Sequence, residues 1–119
     1  MSEKKEEDMA LKGRKPTAAE KEHMSKVVEL GCIVCKNKGF YSPAEIHHIH
    51  GKTKKNAHFM VLPLCFEHHR KGGYREPISR HPYKKRFEEA YGKEDKLLMQ
   101  VNDLLKKTDF YNFLEEIPF

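Results

Sequence analysis

The sequence predicts an α+β fold with a small ββα unit at its centre, and three observations predict it. An amphipathic helical pattern leads directly into Cys32. Two short, turn-bounded apolar runs follow between residues 43 and 64, and helical patterns resume from Cys65 to the leucines near residue 105. A chain of 119 residues fits one domain whose core gives only marginal stability, so a further staple is expected.

The first 15 residues alternate Lys and Glu with few bulky apolar groups and predict a disordered charged tail; the ordered domain is expected over 16–119. Thr17-x-x-Glu20 has the pattern of a capping box, and Met24, Val27 and Val28 fall at helical spacing before Gly31, which predicts a helix over about 17–30. CIVCKNKG reads as a knuckle, PAEIHHIHG as a short strand and HFMVLPL as a second, with the basic GKTKKNA as the loop between them. A helix is expected from Cys65, interrupted at Gly72-Gly73, so the central unit spans about 31–73. After the proline-containing loop 74–84, a helix over about 83–91 ends at Gly92. Leu97, Leu98, Val101, Leu104 and Leu105 form the apolar stripe of a last helix, giving C-terminal helices over about 83–107. The ending DFYNFLEEIPF is aromatic and acidic and fits either packing on the domain or contact with a partner.

No apolar run approaches the roughly 18–20 residues that span a bilayer, and MSEKKEEDMALKGRK lacks the apolar core of a signal peptide, so a cytoplasmic protein is expected. In a reducing compartment three cysteines, two of them in Cys-x-x-Cys, argue for metal or redox chemistry rather than a disulfide framework. Eight histidines, most of them between His47 and His69, favour metal.

Structural zinc takes four Cys or His ligands, commonly as two pairs each separated by two residues. Cys32-x-x-Cys35 supplies one pair and Cys65-x-x-His68 the other. Ligation contributes on the order of 10 kcal/mol in zinc-finger peptides, comparable to the whole stability of a small domain, which identifies the staple. With His68 so engaged, its neighbour His69 points about 100° away around the helix. Its candidate companions are His47 and His48, but adjacent residues on a strand face opposite sides, so only one of them shares a metal with His69. That division suits hydrolysis, in which a divalent ion offsets charge on a phosphate while a neutral imidazole takes a proton from water.

Residues 31–93 carry 13 basic and 5 acidic groups, so the positive charge is concentrated where the cysteines and histidines lie. A field of that sign suits a polyanion such as DNA or RNA. Lys52, Lys54, Lys55, Arg70, Lys71, Arg75, Arg80, Lys84, Lys85 and Arg86 are the candidate phosphate contacts. Neither a recognition helix nor a stacking platform is evident. His50 reads as solvent-facing, or as a residue that positions His48 or contacts phosphate, and His23 as a surface residue.

The succession of C-x-x-C, EIHHI and LPLCFEHH resembles the HNH endonucleases. The form with PLCFEHH, a glycine-containing turn, SRHP, a helix with FEEAYG and a final leucine-rich helix is similar to the phage recombination-enhancement (Ref-type) RecA-dependent nucleases and related prophage HNH proteins. The resemblance runs from about Gly31 to Leu105. It implies a zinc-stapled ββα-metal (HNH/His-Me finger) core with flanking helices, in a phage or prophage endonuclease of the bacterial cytoplasm. It further implies hydrolysis of DNA phosphodiester bonds with a catalytic divalent ion, Mg2+, Mn2+ or Zn2+, and a dependence on RecA filaments. By the same resemblance His48 matches the general base, His47 and His69 match ligands of the catalytic ion, and His81 a third ligand or a substrate contact; a helix cap before Pro82 is the other reading of His81. The asparagine that orients the base in that family would fall near Met60, so Asn56 is taken in its place, with His58 the other polar neighbour. The residues alone also allow a noncatalytic zinc-binding module that holds nucleic acid through its basic loops, or an adaptor docking through its aromatic C-terminus. The second histidine doublet favours the enzyme, since a structural zinc module has no use for it.

Overall fold

The structure, a computed structural model, describes residues 15–116. The charged tail expected over 1–15 therefore lies, apart from Lys15, outside the described residues.

Helix α1 spans Ala18–Glu29 and opens on the expected capping box: the Glu20 amide donates to Thr17 Oγ1 at 3.2 Å, and the Thr17 amide donates to Glu20 Oε1 at 2.8 Å. The two bonds satisfy donors that a helix start leaves without intrahelical partners. Val27 is fully buried, with Met24 and Leu30 packed at the edge of the core. Gly31 then turns the chain at φ +79, where a Cβ would meet the Tyr41 ring at 2.5 Å; only glycine fits both demands. His23, expected on the surface, is half-buried with its ring edge-on to Phe59.

The knuckle is a short helix, α2, Ile33–Asn37, whose Ile33, Val34 and Cys35 are buried. Strands β1 (Glu45–His48) and β2 (Val61–Leu64) pair antiparallel, with Glu45 opposite Leu64 and His47 opposite Leu62. They are shorter than the apolar runs suggested, because His58, expected to begin the second strand, belongs to a 3-10 turn, Ala57–Phe59. Every residue of β2 is buried, since α1, α2 and the last helix all pack on it. That explains why VLPL reads as a continuous apolar run rather than an alternation. Cys65 caps a four-residue helix, α3, Phe66–His69, which ends before the glycine pair.

Helix α4 spans Lys84–Tyr91 and buries Phe87. Helix α5 runs over Glu94–Glu116, about two and a half turns beyond the end expected near residue 107. Leu97 and Val101 enter the same core as Val61, Leu62 and Leu64, whereas Phe110, Tyr111, Phe113 and Leu114 are exposed on the helix's C-terminal part. Among the described residues no helix is long and apolar enough to cross a membrane.

Candidate metal centres

Two clusters of potential ligands lie back to back on α3. The first is Cys32, Cys35, Cys65 and His68, all four buried. Cys32 sits just before α2 and Cys35 within it, and likewise Cys65 sits just before α3 and His68 within it, so two short helical turns bring both pairs together. His68 Nδ1 lies 3.8, 3.7 and 3.1 Å from the sulfurs of Cys32, Cys35 and Cys65, and the sulfurs of Cys35 and Cys65 are 3.9 Å apart. A sulfur pair in a tetrahedron with bonds of about 2.3 Å should be about 3.8 Å apart, so this spacing suits zinc and is far beyond a disulfide. Burial pushes the Cys65 thiol up to about 12 and the Cys32 thiol upward as well. Thiolates are thus disfavoured here unless a cation compensates them, which is the chemistry of a ligand set. The other ring nitrogen of His68 faces Glu76 Oε1 at 3.3 Å. Burial works against the charge of Glu76, but hydrogen bonds from Lys38, Tyr91 and His68 outweigh it and hold the carboxyl down to about 2.

The second cluster is His47, His69 and His81, whose ligand atoms lie within 4.8 Å of one another. The structure places His47, and not His48, beside His69, with ring centroids 5.1 Å apart. His47 Nε2 is 2.6 Å from Glu94 Oε2, and His69 Nδ1 is 2.6 Å from Glu45 Oε1. Each imidazole therefore gives one nitrogen to a carboxylate and keeps its other nitrogen as a ligand atom for a metal. Carboxylate-backed imidazoles of this kind are the usual arrangement of histidines that bind metal. Glu45 is held below the ordinary carboxylate range chiefly by Arg70, which reaches both its oxygens at 2.7 and 3.1 Å. Burial opposes the charge of Glu94, yet His47 and Arg80 keep its carboxyl low. Burial lowers the pKa of His69 and of His81, favouring the neutral ring that a metal requires.

His81 owes its place to backbone pairing: the amides of Arg80 and His81 donate to the carbonyls of His68 and His69 at 2.8 and 2.9 Å. Residue 83, not His81, occupies the cap of α4, so the cap reading of His81 is replaced. The loop carrying His81 is anchored by Ser79, fully buried, whose hydroxyl donates to the Glu67 carbonyl and accepts from the amides of Gly72 and Gly73.

His48 projects from β1 opposite to His47, and its Nε2 lies 3.0 Å from Nδ1 of the buried His58. Burial, followed by the charges of His58, Lys52, His47 and His69, lowers the pKa of His48 to about 4, so this imidazole is neutral near pH 7. Asn56 corrects the expectation placed on it: it is exposed, in the left-handed region at φ 64 ahead of the 3-10 turn, and the contact to His48 is made by His58. His50 is exposed beyond the strand.

Among the basic residues, Lys52, Lys54, Lys55, Lys71, Arg75, Lys84 and Lys85 are exposed and Arg86 half-buried. Arg70 is exposed but spends its guanidinium on Glu45 and the Phe66 ring. Arg80 is a second correction. Its side chain is only 13% exposed and its Nε donates to Glu94 at 2.9 Å, so it stabilises the His47 carboxylate rather than presenting itself to solvent. Sequence reasoning did not single out Glu45, Glu94, Glu76 or Ser79. Only Glu45 left a local signal, two residues before His47 and so on the same face of the strand.

The sequence pattern of the family described as recombination enhancement, RecA-dependent nuclease, matches residues 16–106, which include every residue of both clusters. The chain belongs to that family.

Proposed function

We propose that this RecA-dependent nuclease is an HNH-type, metal-dependent endonuclease that hydrolyses DNA phosphodiester bonds, with β1, β2 and α3 as its ββα-metal unit. The observation that carries the reading is the convergence of His47, His69 and His81, two of them backed by carboxylates, with a neutral His48 as the next residue of the strand. His47, His69 and His81 would hold a divalent ion, while Cys32, Cys35, Cys65 and His68 hold a structural zinc. When bound, the ion supplies neutralisation of the charge that develops on the phosphate and on the leaving oxygen. His48 accepts a proton from the attacking water through Nδ1, because Nε2 is engaged with His58. The water oxygen forms the new bond to phosphorus as the bond to the leaving oxygen breaks, and that oxygen takes up a proton from solvent. His58 holds the imidazole in the attacking orientation, the part that an asparagine plays elsewhere in the HNH nucleases. Glu45 and Glu94 fix the rings of His69 and His47, and Arg80 keeps Glu94 charged. The exposed lysines and arginines contact phosphates without reading sequence, and the family's dependence on RecA points to DNA within a RecA filament as the substrate.

The test is cleavage of plasmid and single-stranded DNA with Mg2+ or Mn2+, with and without RecA filaments. The wild-type protein should cut, and His48→Ala should lose about 100-fold or more of the rate while keeping its fold and zinc. Undiminished cleavage by His48→Ala contradicts the mechanism; a wild-type protein that binds DNA and never cuts leaves the noncatalytic zinc module.

A further inference from the structure

The loop that carries His81 also builds a feature with no part in either metal centre. Tyr74 is 54% exposed, yet its ring is fixed on two sides. The Arg86 guanidinium lies over it at 4.0 Å, and the Tyr83 ring meets it at 5.1 Å and 76°. Arg86 Nε also donates to the Tyr74 carbonyl at 2.5 Å, so one side chain clamps both the backbone and the ring. Tyr83 is itself packed against the core, and Arg86 stands one helical turn beyond it on α4. The loop behind has little room to shift: a Cβ on Gly73 would lie 2.7 Å from the Pro77 carbonyl, and Ser79 ties both Gly72 and Gly73. Before this face lies a shallow depression of about 490 Å³ lined by Tyr74, Pro82, Tyr83, Lys84, Lys85 and Arg86, with Glu89 as its acidic group.

An aromatic ring held rigid, half open, and surrounded by cations is the combination that grips single-stranded nucleic acid, where bases stack on the ring and lysines meet the flanking phosphates. A paired duplex offers only base edges, so such a ring selects an unstacked base. Pro82 of the lining directly follows His81, which puts the depression beside the second metal cluster along the chain. We propose that Tyr74, Tyr83 and Arg86 form a nucleobase-stacking site that holds an unpaired base of the DNA strand next to the phosphate to be cut. The inference rests on the nuclease reading for the identity of the ligand, but binding does not require cleavage.

The experiment measures binding of the full chain to fluorescent oligothymidylate, to an abasic strand of equal length and to a duplex, without added divalent ion so that no strand is cut. Tyr74→Ala should weaken oligothymidylate binding on the order of tenfold and leave the abasic strand and the duplex unchanged. Equal loss on all three, or no loss, overturns the proposal. Tyr74→Leu keeps bulk without a π face and should behave like the alanine variant; binding that Tyr74→Leu restores to the wild-type level also overturns it. The sequence has no tryptophan, so Tyr74→Trp provides a single reporter: quenching by oligothymidylate beyond that by the abasic strand supports stacking, and equal emission refutes it. Failure of the nuclease reading would show separately, as wild-type protein that binds oligothymidylate normally but does not cleave.

Discussion

The two ligand clusters share a short helix and differ in almost everything else. Cys32, Cys35, Cys65 and His68 are all buried and supply four donors, enough to close a tetrahedron. His47, His69 and His81 are buried, half-buried and exposed in turn, and supply three. A closed set can serve only the fold, whereas an open one leaves positions for water and substrate. Yet both are backed alike, with His68 on Glu76, His47 on Glu94 and His69 on Glu45. A carboxylate contacts a ring nitrogen in both clusters, so the difference in role proposed for them rests on burial and donor number. His48 departs from that rule, since its partner is the imidazole of His58, which does not raise its proton affinity as a carboxylate would.

Breaking the closed cluster should have the largest effect. Cys35→Ala would remove one ligand of the proposed zinc site, and ligation of that kind contributes on the order of 10 kcal/mol, against a total stability of about 5–15 kcal/mol for a domain. The variant should lack zinc by elemental analysis and show no cooperative melt by circular dichroism; a folded, fully zinc-loaded variant would show that this cluster is not the staple. Breaking the backing of the open cluster comes next. Glu94→Ala leaves Arg80 and His47 buried without their anion, at a cost of about 3–5 kcal/mol in urea unfolding. The milder Glu94→Gln should keep the fold while the Mn2+ concentration needed for cleavage rises about 10- to 100-fold, and an unchanged requirement would detach Glu94 from the ion site.

His58→Ala sharpens the contrast between the ligand histidines and the base. It should lower kcat about 10- to 100-fold with little change in the metal requirement; a shift in the metal requirement alone would place His58 with the ligands. The smallest effect is expected at Thr17→Ala, which removes a cap worth about 1 kcal/mol. Its melting temperature should fall by a few degrees while zinc content and cleavage rate stay at wild-type values, because α1 supplies no ligand to either cluster.

Features written in neighbouring residues were legible in the sequence. The capping box at Thr17 and Glu20, the turn at Gly31 and both Cys/His pairs depend on spacings of three residues or fewer, and the structure forms each of them. The strand alternation separating His47 from His48 was legible for the same reason. Long-range pairing was not. Glu94 lies 47 residues from His47, and a glutamate followed by Asp95 at a helix start reads as solvent-facing when nothing reveals the buried imidazole beside it. Arg80 was misread as a phosphate contact on the same ground, since charge alone suggests the surface and its burial comes from Glu94. His58 displaced Asn56 because a 3-10 turn, absent from the strand-like pattern of HFMVLPL, turns residue 58 inward and leaves residue 56 outside. The added length of α5 escaped the leucine stripe because a stripe marks only the part of a helix that meets the core.

The central claim is that adjacent imidazoles, His68 and His69, serve two different ions, and the most direct measurement compares zinc stoichiometry and DNA cleavage in His68→Ala and His69→Ala. The account predicts that His69→Ala keeps one tightly held zinc and its fold but loses cleavage, whereas His68→Ala loses the zinc and the fold with it. Loss of the tightly held zinc from His69→Ala, or wild-type cleavage by that variant, would contradict it.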